Sequence, residues 1–186
     1  LWLGGLDSNR IFIFDVASDP AAPKLVKTID DFVQMTGGVA GPHGFYALPG
    51  RMLISALSNA HTGSGKTALV EYSNDGNFIR AQWMPPGAEY GYDARVNANL
   101  NGMITSSFTG KENYMRPLGE LIQDAEAMKN FGNEMIVWDF HARRPLQTFH
   151  VPGAPLEIRF ALQPRNHYAF TATALTSKLW GLFRKD

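Results

Sequence analysis

Phe12-Ile13-Phe14-Asp15 returns as Ile136-Val137-Trp138-Asp139, and this repeat decides how the rest of the chain is read. Each copy is short, apolar, β-branched or aromatic, and ends on an acid at a turn. Each leads through a Pro-containing turn into a second strand: Lys24 to Ile29 in the first case, Leu146 to His150 in the second. A looser copy pairs Leu69-Val70-Glu71-Tyr72 with Phe78 to Trp83 across Ser73-Asn74-Asp75-Gly76. A hairpin that recurs in this way is the signature of propeller blades, in which one antiparallel unit is repeated around an axis.

Working outward, further strands are expected at Leu1 to Leu6, His43 to Leu48, Met52 to Leu57, Asp93 to Val96 and Met103 to Phe108, and beyond the second copy at Leu156 to Leu162, Tyr168 to Thr173 and Leu179 to Phe183. Gly and Pro punctuate the intervals, and Asp30 to Gly41 reads as loop. Between residues 116 and 130 the period changes. Leu118, Leu121, Ile122, Ala125 and Met128 recur at helical spacing, with Pro117 at a first helical position and Gly132 at a stop. Gly119 weakens the start, and Asp124 is placed to cap a second short helix; the segment reads as a helical insertion ahead of the second copy. The fold expected for residues 1–186 is therefore all-β: a partial β-propeller of two complete four-stranded blades flanked by two incomplete ones, about half of a ring. An open blade leaves an exposed edge, so the remaining half is expected in the same parent polypeptide or on another chain. Leu1-Trp2-Leu3 is already strand-like, and the close at Leu182 to Asp186 carries no natural stop. Both ends read as cuts through a larger fold.

Composition narrows the function classes. Lys+Arg and Asp+Glu both number 17, so the formal charge is zero. Acids and bases are scattered, with no basic cluster of the kind nucleic acid requires. No apolar run approaches the roughly 20 residues of a membrane helix, and no signal peptide is visible. There is no cysteine, which removes disulfides and thiolate chemistry and fits either cytoplasm or periplasm. The 12 Phe and 4 Trp suit packing between blades.

Few motifs carry chemistry. Ala60 to Thr67 imitates a phosphate-binding loop, but a strand and a turn follow where that chemistry needs a helix N-terminus, so it reads as a hairpin loop. The five histidines show no zinc spacing. His43 stands apart because it follows Gly41-Pro42 and enters a strand expected to line the axial channel. Asp93, Glu157 and Arg159 also fall on expected innermost strands, and Glu157-Ile158-Arg159 puts both charges on one face. Buried charges need partners. An ion pair joining adjacent blades and a polar site in the channel both satisfy that need.

At this point the chain resembles the selenium-binding protein / methanethiol oxidase family, closest to its bacterial methanethiol oxidase-like members. The resemblance runs from Ser8 to Leu182 and is carried by Ser8 to Lys24, Met52 to Ala60, Gly91-Tyr92-Asp93, Val151 to Arg159 and Thr173 to Lys178. It implies a seven-bladed propeller. It implies a copper-dependent oxidase that converts methanethiol, a small thiol substrate, to formaldehyde, hydrogen sulfide and hydrogen peroxide. It also implies copper among histidines, a periplasmic location and an oligomer. The family typically has Pro-His-Thr-Val-His where this chain has Pro42-His43-Gly44-Phe45-Tyr46. His43 matches the first His of that motif and is the metal candidate. Tyr46 replaces the second His, and Ala47 stands where some members carry Cys. A non-catalytic propeller of the same ancestry, serving as a scaffold or binding protein, is the alternative. In a regular strand His43 and Tyr46 would face opposite ways. Only a bulge or turn near Gly44 would turn both into the channel.

Overall fold

The computed structural model describes residues 1–163 and 166–184; the closing Lys185 and Asp186 lie outside the described residues. Among the described residues, fourteen strands form four separate antiparallel sheets. The first sheet contains β1 (Trp2–Gly5), β2 (Arg10–Asp15) and β3 (Lys24–Ile29). The second contains β4 (Val39–Leu48), β5 (Arg51–Asn59), β6 (Ala68–Ser73) and β7 (Phe78–Trp83). The third contains β8 (Ala94–Asn97), β9 (Gly102–Thr105), β10 (Glu134–Asp139) and β11 (Arg144–His150). The fourth contains β12 (Pro155–Phe160), β13 (Tyr168–Thr173) and β14 (Leu179–Phe183). In every sheet the strands lie in chain order. Successive sheets touch where β1 meets β4, β4 meets β8 and β8 meets β12. Meanders stacked in this way are the blades of a β-propeller.

The sequence repeat is also a repeat of backbone irregularity. Ile13 pairs with Lys27 but Phe14 with Leu25. Glu71 pairs with Arg80 but Tyr72 with Phe78. Val137 pairs with Gln147 but Trp138 with Pro145. In each blade one residue of the last strand is left over, and the three left-over residues are Val26, Ile79 and Leu146. A bulge gives its strand extra twist. It also turns these apolar side chains out of the ladder, where they are 66%, 42% and 55% exposed. Pro145 is tolerated because it lies on a last strand, next to the bulge.

The core lies between the sheets. Neighbouring residues of one strand point to opposite faces, so Leu53 and Leu69 join the third sheet's Met103, Ile136 and Trp138. Ile54 and Val70 turn the other way and pack with Ile11, Phe32 and Val39. Met135 and Ile104 face Ile158 and Ala169 of the fourth sheet. Each such fully buried side chain contributes about 1.5–3 kcal/mol. This two-faced burial explains why β5 and β6 read as continuous apolar runs.

One stretch differs from expectation, and the helical insertion resolves into short pieces. Asp30 to Gly41, expected as loop, contains α1 (Phe32–Met35) and the start of β4. Phe32 is fully buried, and the Thr36 hydroxyl closes the turn onto the Phe32 carbonyl at 2.7 Å. The segment 116–130 is helical, in two short pieces with Asp124 between them. It contains α3 (Leu118–Leu121) and a 3-10 turn (Ala127–Asn130), and α2 (Lys111–Tyr114) precedes it. Asp124 breaks the continuity: its Oδ1 accepts the amides of Glu126 and Ala127 at 3.1 and 3.0 Å, which starts a new turn. Leu121 is buried with Phe131 and Ala154, and Met128 packs against them. Leu118 and Ile122 remain 70% and 58% exposed.

Candidate functional site

The site begins with the way β4 enters its sheet. Gly41 has φ +68, which favours glycine, and a Cβ there would meet the Tyr114 hydroxyl at 2.8 Å. Its amide donates to Asn9 Oδ1 at 2.7 Å. Two residues on, the register slips: Pro42 pairs with Ala56, but Gly44 with Ser55. His43 is the extra residue of a β-bulge. The bulge breaks the alternation and brings His43 and Tyr46 to the same neighbour, the segment that forms β8. The His43 ring lies 4.4 Å from that of Tyr92. The Tyr46 hydroxyl donates to the Val96 carbonyl at 3.2 Å, and the Arg95 guanidinium lies 5.4 Å over the Tyr46 ring.

Gly44 allows this approach. A Cβ there would collide with Ser55 Oγ and meet the Tyr92 carbonyl at 3.4 Å and Asp93 Oδ1 at 3.6 Å. The Ser55 hydroxyl donates to that same Tyr92 carbonyl at 2.6 Å. His43 is half-buried, with Nδ1 inside the protein and in no well-formed hydrogen bond among the described residues. Burial holds its pKa below the ordinary histidine value, opposed by the Tyr92 main chain, Glu157 and Asp93. The ring is accordingly neutral near pH 7, the state in which imidazole binds a metal.

Asp93 lies just ahead of β8 rather than within it, and it is buried. Its Oδ1 accepts the Ala94 amide and its Oδ2 the Ile158 amide, each at 2.9 Å. Arg95 Nε lies 3.1 Å from Oδ2, and Arg159 Nη1 3.6 Å. Even so, burial, helped by Glu157, raises the Asp93 pKa above the ordinary carboxylate value; the Ile158 amide, Arg95 and the Ala94 amide work against it. Glu157 and Arg159 pair at 2.9 Å on the more exposed side, and Arg95 reaches Glu157 at 3.7 Å. Of the two readings open for these charges, Asp93 fits the inter-blade staple, because it ties the start of the third sheet to the fourth. Glu157 and Arg159, with side chains 48% and 62% exposed, present a charged edge to solvent.

As a metal site the donor set is limited. Among the described residues no three or more His, Asp or Glu side chains are placed to hold an ion. The Asp93 oxygens are engaged, and the Tyr46 hydroxyl is spent on Val96. What this chain can offer a metal is one neutral imidazole, that of His43. The other histidines are dispersed: His61 sits against Gly38, His141 bonds to Asn101, His150 lies 3.5 Å from Glu134, and His167 precedes β13. Ala60 to Thr67 is the hairpin loop between β5 and β6. It is organised by Asn59, whose Oδ1 accepts the amides of His61 and Thr62 at 3.1 and 2.9 Å.

Sequence reasoning met Tyr92 only within the run Gly91-Tyr92-Asp93 and passed over Arg95, although Arg95 stands two residues from Asp93, the spacing that shares a strand face. It also passed over Glu71, which occupies the repeat position held by Ile13 and Val137. Glu71 accepts hydrogen bonds from Arg51, Arg80 and Arg143 at 2.8, 2.7 and 2.7 Å. These bonds overcome burial and hold its pKa at about 2. A charge at an apolar repeat position was the available signal. No helix among the described residues is long and apolar enough to cross a membrane.

Residues 1–186 match the family described as 56 kDa selenium binding protein (SBP56). The chain is 54% identical over 199 aligned residues to a methanethiol oxidase of Ruegeria pomeroyi, covering all of this chain and 46% of that protein. It is 56% identical over 189 to a methanethiol oxidase of a Hyphomicrobium species, covering all of this chain and 43% of that one. The chain thus spans less than half the length of these relatives. The X-ray structure of a hypothetical selenium-binding protein from Sulfolobus tokodaii superposes over the whole chain with a TM-score of 0.84 at 22% identity, covering 42% of that protein, a likeness of fold.

Proposed function

Because this chain belongs to the 56 kDa selenium-binding protein family, we propose that it is part of a methanethiol oxidase-like enzyme, copper-dependent and periplasmic, that acts on a small thiol. The observation that carries this reading is identity above one half, along the whole chain, to two bacterial methanethiol oxidases. The reaction balances as methanethiol, dioxygen and water giving formaldehyde, hydrogen sulfide and hydrogen peroxide. The carbon–sulfur bond breaks, the methyl carbon is oxidised by two electrons, and dioxygen takes those electrons with two protons. The rest of the ring, and the further metal ligands, come from the remainder of the polypeptide or from a partner in an oligomer.

Bound copper would supply a redox-active Lewis acid that binds the thiol sulfur. His43 is the residue of this chain suited to hold it, because burial keeps the imidazole neutral. Tyr46 packs under Arg95 and donates to Val96, so its part is to brace the bulge. Asp93 ties the start of β8 to β12 through the Ile158 amide.

The test is incubation of the full-length protein with methanethiol under oxygen. Formaldehyde and peroxide should appear in equal amounts and disappear when copper is chelated. The alternative, a non-catalytic scaffold or binding protein of the same ancestry, is favoured by Tyr46 standing where the family carries His. Thiol-independent peroxide, or none, would support it.

A further inference from the structure

We propose that the groove beside Val137 and the free edge of β14 together seat the outer hairpin of the fourth blade, supplied by the part of the polypeptide outside residues 1–186, and that this hairpin lays an uncharged turn on Val137. The inference concerns how the ring is completed. It goes beyond the oxidase reading and does not rest on it.

One contact is repeated between blades. Where the first and second sheets meet, the β6–β7 turn lies on Ile13: a Cβ at Gly76 would come within 2.9 Å of Ile13 Cδ1, and Lys27 Nζ donates to the Asp75 and Gly76 carbonyls at 2.8 and 2.9 Å. Where the second and third meet, the β10–β11 turn lies on Glu71, through the 2.7 Å bond from Arg143 Nε. Gly76 and Arg143 hold the same place in the repeat. Each stands two residues ahead of the outer-strand residue paired at the bulge, Phe78 with Tyr72 and Pro145 with Trp138. Each has a left-handed φ, +72 and +53. Turn and seat agree in kind: glycine on isoleucine, guanidinium on carboxylate.

Val137 is the next seat in this series, and it lines an open groove of about 840 Å³. The groove is walled by Val137, Leu146 and Phe149 of the third sheet and by Phe160, Leu182 and Phe183 of the fourth; Leu146 and Phe183 are 55% and 74% exposed. Beside it, β14 is the last strand of its sheet among the described residues, where the second and third sheets carry a fourth strand. Bonded pairs alternate along an antiparallel ladder. The Thr173 amide donates to the Lys178 carbonyl and the Arg184 amide to the His167 carbonyl, so Trp180 and Leu182 turn their peptide groups to β13. Leu179, Gly181 and Phe183 therefore turn theirs to the free edge. A groove of this volume also suits a small apolar molecule, but such a molecule leaves the strand edge unpaired, whereas a hairpin fills the groove and pairs the edge. The relatives are more than twice as long as the stretch they share with this chain, polypeptide enough to supply it.

The experiment uses the full-length protein. Residues 1–186 contain no cysteine, so Val137→Cys places a reporter at the seat. Its reaction with a small methanethiosulfonate, corrected for the wild-type background, should run more than about a hundred-fold slower in the folded than in the urea-unfolded protein. That protection should survive dilution and dialysis against cyclodextrin. In the wild type, hydrogen exchange should show the Leu179, Gly181 and Phe183 amides as protected as those of Trp180 and Leu182. A thiol that reacts at the unfolded rate overturns the proposal, as do edge amides that exchange freely. Protection lost on dilution puts a second copy in the groove, and protection lost to cyclodextrin puts a small apolar molecule there; either result also overturns it. Should Val137→Cys fail to fold, the wild-type exchange decides alone: protected edge amides support the hairpin, and freely exchanging ones reject it.

Discussion

Arg143 donates through Nε to Glu71 Oε1 at 2.7 Å across 72 residues of sequence. The bond ties the hairpin turn of the third blade to the third strand of the second. Arg143 is 8% exposed, sits at φ +53 and lies 4.2 Å over the Phe140 ring. With Arg51 and Arg80 it surrounds one buried carboxylate. Removing one partner of a buried pair costs about 3–5 kcal/mol, because the remaining charge is left uncompensated. Glu71→Gln in the full-length protein should therefore lower the unfolding free energy by several kcal/mol in urea titrations. A loss within measurement error would show that the knot does not hold the blades.

The same carboxylate sets an acid limit. Its folded pKa is about 2 against an ordinary 4.5. A lowered pKa means that the folded state holds the proton less well than the unfolded state. The stabilisation is thus complete above pH 4.5 and is lost as pH falls towards 2, to the extent of about 3 kcal/mol. The difference in stability between wild type and Glu71→Gln should be constant from pH 7 to 5 and narrow below that. A difference independent of pH down to 2 would contradict it.

Gly44 should tolerate no side chain. Gly44→Ala should cost about 1–3 kcal/mol, as overpacking does, because its Cβ collides with Ser55 Oγ. Ser55→Ala removes the colliding atom, so the double variant should be more stable than the sum of the two single losses predicts. Thermal unfolding of the four proteins measures this coupling, and simple additivity would argue against a contact at the bulge.

Tyr46 separates a brace from a ligand. Tyr46→Phe removes the hydrogen bond to Val96 and should cost about 1 kcal/mol with copper content unchanged. Loss of copper in that variant, measured by elemental analysis, would make the phenol a ligand and the brace reading wrong.

The fold was legible because its repeat is local. Phe12 to Asp15 and Ile136 to Asp139 display blade hairpins within a few residues, and runs such as Met52 to Leu57 mark strands buried on both faces. The site was less legible because it depends on pairing. His43 and Tyr46 share a side only because β4 carries one more residue than β5 between Pro42 and Gly44, a count that no single strand reveals. The Glu71 knot draws Arg51, Arg80 and Arg143 from three places in the chain. The segment 116–130 was legible too: its spacing is helical, and Asp124 accepts the two amides ahead of it as the cap of a second turn does.

The central claim is that His43 is a copper ligand in a thiol oxidase. Copper content and copper EPR of the full-length wild type and of His43→Ala, side by side with circular dichroism, test it most directly. The account predicts close to one copper per wild-type ring, most of it lost in His43→Ala, with the β-sheet signal intact in both. A His43→Ala protein that retains its copper with an unchanged spectrum, or a wild type that takes up no copper and releases no peroxide from methanethiol, would contradict it.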